Sequence, residues 1–285
     1  MAIVMGETPA IQEVVMIRRC LVLCLAVTCL QAAPLQIAKT GKGPGILLIH
    51  GLGGNKEVWA ATAAELSRDH TVVCVDLPGS GGTPGPVVVD GRADLRAVGK
   101  ALAALVRREG LVPCLVVGHS LGAPIGALTI LEDPTAFRGL ILADGFLGAL
   151  PAELLDPMIV ALMTDSRGAL KAWFGDEVTS QAQFERVYAE CLRVPVPTFQ
   201  AYGRSLTRDP LQGRRGDLKL PMLMVAAGPA AADPAKAPDY LAFLGLTGLP
   251  NLRVVNFPKA KHWVMWDMPE EFLIAVRAIE AGLGR

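Results

Sequence analysis

The chain has 285 residues, 52% of them apolar, enough for one large or two small domains around a substantial core. Its 27 Lys and Arg balance 27 Asp and Glu. That balance removes any electrostatic argument for nucleic acid or an anionic membrane surface, and leaves a small-molecule substrate as the natural partner.

The first segment is separate in character. Arg18 and Arg19 precede the apolar stretch Cys20 to Leu30 and then Gln31-Ala-Ala-Pro34, the basic, apolar and small-residue order of a secretory signal peptide. The apolar stretch is shorter than the about 20 residues of a spanning helix. Residues 1–33 are therefore expected to be an N-terminal extension and signal peptide. Translation would start at Met16 and cleavage fall near Ala32 or Ala33, giving an exported protein with no stable membrane span. An uncleaved signal would instead leave a membrane tether. Of the six cysteines, Cys20, Cys24 and Cys29 fall in this segment. Cys74, Cys114 and Cys191 lie far apart in apolar runs, which argues against a disulfide framework or a zinc site and for buried core thiols.

From residue 35 strands and helices alternate, the signature of an α/β domain with a mostly parallel, doubly wound sheet. Leu35–Lys39 reads as a short edge strand, Ile46–His50 as the first buried strand, Val58–Ser67 as a helix and Thr71–Asp76 as a strand. Leu95, Val98, Leu102, Leu105 and Val106 share one helical face, predicting a helix over Asp90–Arg108. Strands follow at Leu115–Val117, Arg138–Asp144, Pro221–Ala227 and Leu252–Phe257, with a helix at Leu121–Leu131 and a last one at Pro269–Ala281.

Roughly 70 residues separate the strands at Arg138 and Pro221, where such connections usually take about 2–6. Within that span Leu154, Leu155, Met158 and Leu162 recur at helical spacing, as do Phe184, Val187, Tyr188, Cys191 and Leu192, and Phe199, Tyr202 and Leu206. The expected organisation is a core of residues 34–145 and 218–285 carrying a helical cap, residues 146–217.

The chemistry centres on Gly118-His119-Ser120-Leu121-Gly122, a G-x-S-x-G sequence lying between a strand and a helix. In that context the turn is so sharp that the serine hydroxyl stands clear of the sheet, with no room for side chains on either flank. A serine hydroxyl needs an adjacent base, and the base needs an acid to hold its tautomer. His262, in the loop after the last strand, is the histidine placed to serve; His50 and His119 sit in glycine turns and His70 in a polar stretch.

His50-Gly-Leu-Gly-Gly54 with Trp59, Asp76-Leu-Pro-Gly-Ser-Gly81, Gly118-His-Ser-Leu-Gly122, and His262 ahead of Pro269-Glu-Glu-Phe272 together resemble the α/β-hydrolase fold superfamily, in its order, from about residue 44 to 281. The resemblance implies Ser120 as nucleophile, His262 as base, the backbone N–H groups of Leu52 and Leu121 as oxyanion hole, His50 as a loop organiser and Asp76 as the holder of its turn. It also implies an acid after the strand before last. There Gly228 leads into Pro229-Ala-Ala-Ala232 before Asp233, which makes Asp233 the first candidate, Asp144 the second and Asp239, at a helix start, the third.

The implied activity is cleavage of an ester-like bond in a small, hydrophobic substrate through an acyl-enzyme, with no metal or organic cofactor. Lactonase, carbon–carbon bond hydrolase and perhydrolase chemistries share the apparatus, and a hydrolase-fold binding protein without turnover is the alternative from another class. Serine at position 120 argues against dehalogenases and epoxide hydrolases, which resemble this fold with aspartate there. N-terminal sequencing of the exported protein is expected to read from near residue 33; a mature form beginning before residue 20 would overturn the signal-peptide reading.

Overall fold

The computed structural model describes residues 34–282. Nine strands occur in it: β1 (Ile37–Thr40), β2 (Gly45–Ile49), β3 (Thr71–Val75), β4 (Val88–Val89), β5 (Arg92–Ala93), β6 (Cys114–His119), β7 (Phe137–Ala143), β8 (Met222–Ala227) and β9 (Leu252–Phe257). Seven of them form one sheet in the order β1-β3-β2-β6-β7-β8-β9. Only β1 runs antiparallel, pairing Ile37 with Val75 at the edge.

The strand sequences explain this arrangement. Ile46–Ile49, Leu115–Val117 and Leu140–Leu142 are unbroken apolar runs with no side chain exposed to water, as expected when helices cover both faces of a parallel sheet. The chain steps from β2 outward to β3 and then returns to pair β6 on the other side of β2. This reversal opens a crevice beyond the carboxyl ends of β2 and β6, where open α/β sheets bind ligands.

Helices α1 (Ala60–Leu66), α2 (Leu95–Arg108) and α3 (Gly122–Glu132) connect these strands, with α2 packed against α3. α2 begins later than its periodicity predicts. Asp94 caps it by accepting from the Ala97 amide at 2.9 Å, while Asp90 (φ +50°) and Gly91 (φ +71°) form the tight turn of a β4–β5 hairpin. Asp-Gly is the dipeptide that such a turn favours, so its chemistry prevails over the helical pattern.

Between β7 and β8 lies the helical cap: α4 (Ala152–Ala161), α5 (Ser166–Phe174), α6 (Gln181–Cys191) and α7 (Val196–Leu206). Leu155, Met158, Ile159, Phe184, Val187, Phe199 and Tyr202 are buried, whereas Leu154 and Leu192, which share their helical spacing, are exposed. The cap is fastened to the core by hydrogen bonds from Tyr202 Oη to the Pro78 carbonyl (3.1 Å), Ser205 Oγ to that of Ala93 (2.9 Å) and the Arg186 guanidinium to that of Glu57 (3.2 Å).

Helices α8 (Ala237–Phe243), α9 (Val264–Asp267) and α10 (Pro269–Gly282) complete the described chain, with α10 packed on α1. Cys74, Cys114 and Cys191 are buried free thiols, and burial pushes each up to about 12, where a thiol is inert. The expected signal peptide lies outside the described residues. No described helix is long and apolar enough to cross a membrane.

Phe272 of α10, with no exposed surface, stacks on Trp59 at 6.1 Å, and Trp59 meets His119 edge-on at 6.5 Å. Phe272→Ala is expected to cost about 3–5 kcal/mol in denaturant unfolding, because it leaves a cavity behind the residue preceding Ser120.

Candidate active site

β6 runs straight into the turn that carries Ser120, and α3 starts two residues later. The Ser120 φ is +51°, a left-handed backbone that costs a non-glycine residue about 1–3 kcal/mol and persists only where its surroundings enforce it. Its amide donates to the Ala143 carbonyl at 3.2 Å. Space alone dictates the flanking glycines: a methyl on Gly118 would stand 2.2 Å from the Gly122 carbonyl oxygen, and one on Gly122 would stand 2.4 Å from that of Ile49.

Asp144 leaves the sheet beside it. β6 and β7 pair in parallel with His119 opposite Ala143, so Ser120 and Asp144 follow at the same level on neighbouring strands. Asp144 too has a positive φ, +44°. Its Oδ1 accepts from the Ala227 amide at 3.0 Å and its Oδ2 from His262 Nδ1–H at 2.7 Å. One oxygen thus fixes the carboxylate to β8 while the other holds the imidazole.

This corrects the first choice of acid made from sequence. The carboxylate of Asp233 accepts from the Ala235 amide (3.0 Å) and pairs with Lys236 (3.4 Å) in an exposed turn. The turn after β8 begins with Gly228 and Pro229, neither of which carries an acid, and the carboxylate beside His262 comes instead from the end of the neighbouring strand β7. Asp239 lies in the first turn of α8.

His262 is clamped at two points besides its ring. Its amide donates to the Glu177 carbonyl (3.2 Å), and its own carbonyl accepts from His119 Nε2–H (2.9 Å). The preceding residue is held as well: the Lys261 amide donates to Asp267 Oδ2 (2.8 Å) and its ammonium to the Asp176 carbonyl (2.7 Å). Burial opposes a charge on the His262 ring, but the hydrogen bond and charge of Asp144, with Glu177 and Asp267 nearby, outweigh it and raise its pKa above 6.5. His119 has no such carboxylate; burial, with the neighbouring His262, drives its pKa well down and keeps it neutral.

The opposite wall is the loop after β2. The Leu77 amide donates to His50 Nε2 (3.0 Å), so Nδ1 must carry the proton that it gives to the Gly51 carbonyl at 2.7 Å. Burial lowers His50 to about 4, keeping it in that neutral tautomer. Asp76, without exposed surface, accepts from the Lys56 amide and ammonium, each at 2.7 Å. Both residues therefore organise the loop. A methyl on Gly51 would stand 2.9 Å from the Ser120 Cβ, and among the described residues neither the Leu52 nor the Leu121 amide has an acceptor. Two unpaired donors next to the serine are what a developing oxyanion requires.

Ser120 and His262 line two adjoining cavities, with Phe146, Leu150 and Trp173 common to both. Sequence reasoning missed several of the surrounding groups: His119 as a support for the base loop, Glu190 in one cavity, and Glu177 and Tyr240 in the other. Burial and the Asp144 carboxylate both push the Tyr240 phenol above its usual range. For His119 a signal existed, since it occupies the variable position immediately before the serine.

The same fold and sequence pattern recur in known proteins. The alpha/beta hydrolase family description matches residues 46–276, and the chain belongs to that family. RutD of Enterobacter cloacae, named for carbamate hydrolase activity, is 35% identical over 104 residues, 36% of this chain and 38% of its own length. A fluoroacetate dehalogenase from a Burkholderia species is 36% identical over 106 residues, 36% of this chain and 35% of its own length. This chain thus spans little more than a third of each relative. An esterase from Exiguobacterium antarcticum superposes with a TM-score of 0.74 at 14% identity, covering 86% of this chain and 94% of that one, a likeness of fold.

Asp144→Asn is expected to slow labelling of Ser120 by a fluorophosphonate roughly 10³–10⁴-fold, through loss of the correct tautomer. Asp233→Asn should stay within about two-fold of wild type, as an exposed substitution does. Equal rates in both variants would reverse the assignment.

Proposed function

We propose that the protein is a serine hydrolase that cleaves an ester-like bond of a small, uncharged substrate through an acyl-enzyme on Ser120. The observation that carries this reading is the 2.7 Å hydrogen bond from His262 Nδ1 to Asp144 in a cavity that His262 shares with Ser120. With Nδ1–H committed to Asp144, Nε2 is left unprotonated as the base.

In the reaction so read, His262 Nε2 takes the Ser120 proton as Oγ adds to the substrate carbonyl. The Leu52 and Leu121 amides stabilise the oxyanion, a contribution of about 2.7–4 kcal/mol per donor in comparable sites. His262 then returns the proton to the leaving oxygen, and a water activated in the same way releases the acyl group. The imidazolium formed at each addition is stabilised by Asp144, with Glu177 and Asp267 contributing.

The raised pKa of His262 fixes the sign of the pH dependence. Activity requires the neutral ring, so kcat/KM on a p-nitrophenyl ester is expected to fall on the acid side with a midpoint above 6.5. In Asp144→Asn burial is no longer opposed by that carboxylate, and the midpoint should move to lower pH. Ser120→Ala should abolish turnover and labelling together. An unlabelled Ser120 in folded wild-type protein would favour a binding protein instead.

A further inference from the structure

The two cavities at Ser120 differ in size by more than an order of magnitude. The smaller, of about 50 Å³, is bounded by Gly51–Gly54 of the oxyanion loop and closed by Val58, Val187 and Cys191. The larger, of about 710 Å³, is walled by Asp144, by the base loop from Pro258 to Lys261 and by apolar side chains that include Phe146, Leu154 and Phe243. We propose that the substrates are uncharged esters of a short acyl group with a bulky, apolar alcohol, the acyl chain seated in the small cavity and the alcohol in the large one. This rests on the serine-hydrolase reading above and deepens it.

The assignment of the two halves follows from where the protons go. Once Oγ has added and the oxyanion faces the Leu52 and Leu121 amides, two substituents remain on the tetrahedral carbon. The leaving oxygen must receive its proton from His262 Nε2, so it lies on the side of the base loop that presents this ring. That loop, from Pro258 to Lys261, walls the large cavity, whereas the small one meets, of this segment, only the His262 ring and Trp263 beyond it. The acyl chain is left with the opposite side, against the oxyanion loop.

Size then sets the acyl limit. A volume of 50 Å³ corresponds to about three to five water-sized groups, which admits acetyl to roughly butyryl. The walls do not yield readily: Val58, Val187, Cys191, Leu206 and Phe174 are all buried and packed. Charge sets a second limit. The acidic group in this cavity is Glu190, whose carboxyl is held above its usual pKa by burial and partly compensated by Arg186 at 3.5 Å. A second carboxylate on the acyl chain would meet this acid at close range, with only the charges of Arg186 and Arg193 to offset the pair. On the other side, Leu154 and Phe243 are half exposed yet line the large cavity, giving an apolar alcohol an open, compatible mouth.

An isomeric pair of esters tests this directly. 2-Naphthylmethyl acetate and methyl 2-naphthylacetate have the same atoms and leaving alcohols of similar acidity, and differ in which half is bulky. The acetate should be favoured at least about ten-fold in kcat/KM, and along a p-nitrophenyl series kcat/KM should drop at least about ten-fold between butanoate and octanoate. Val187→Ala should restore part of the octanoate activity relative to acetate. Fluorophosphonate labelling of Ser120, run in parallel, separates the two levels. Labelled protein that prefers the naphthylacetate, or that accepts octanoate as well as acetate, overturns the assignment of the cavities. Folded protein that is not labelled overturns the serine-hydrolase reading and this assignment with it.

Discussion

The register between β6 and β7 is the constraint on which the site depends. Pairing His119 with Ala143 brings Ser120 and Asp144 out of the sheet side by side, each forced into a positive φ. A slip of one residue would turn every side chain of a strand to its other face. The core resists that because Leu115–Val117 and Leu140–Leu142 are close-packed on both faces, and a slip would drive side chains of other shapes into filled space. Catalytic geometry and core packing are therefore enforced by the same set of apolar side chains, and the strain at the two strand tips is offset by the burial of the strands beneath them.

Around that pair, the histidines divide the remaining work according to their surroundings. His50 is neutral because it is buried between a donor and an acceptor and fixes the oxyanion loop. His119 is neutral because burial and the neighbouring His262 both oppose its charge, and its Nε2–H supports the His262 carbonyl. His262 alone among the three has a carboxylate on its ring nitrogen, and it alone has its basicity raised. The same imidazole thus serves as strut, support and base, and its neighbours decide which.

Much of this was legible in the residues. Unbroken apolar runs located the parallel strands, the helical spacing of Phe184, Val187 and Cys191 located a cap helix, and the glycines around Ser120 located the turn. Two features were not. Apolar periodicity carries α2 back to Asp90, whereas the turn chemistry of Asp90-Gly91 leaves the helix to start at Leu95. Chain order points first to Asp233, because it does not reveal which carboxylate a loop presents. Asp144 sits one strand from Ser120 in space but 24 positions away in sequence, and only the β6–β7 pairing makes them neighbours.

The acceptors in the clamp around His262 are main-chain carbonyls of the cap: the His262 amide donates to that of Glu177, and the Lys261 ammonium to that of Asp176. Main-chain acceptors are blind to the side chains they carry. This clamp would therefore survive a change of side chain at position 176 or 177, although Glu177 separately favours the charge on His262, while the route of the chain between α5 and α6 could not change. The cap is thus not a module to be exchanged at will. A cap transplanted from a relative would have to reproduce that path, and inspection of aligned residues would give no warning if it did not.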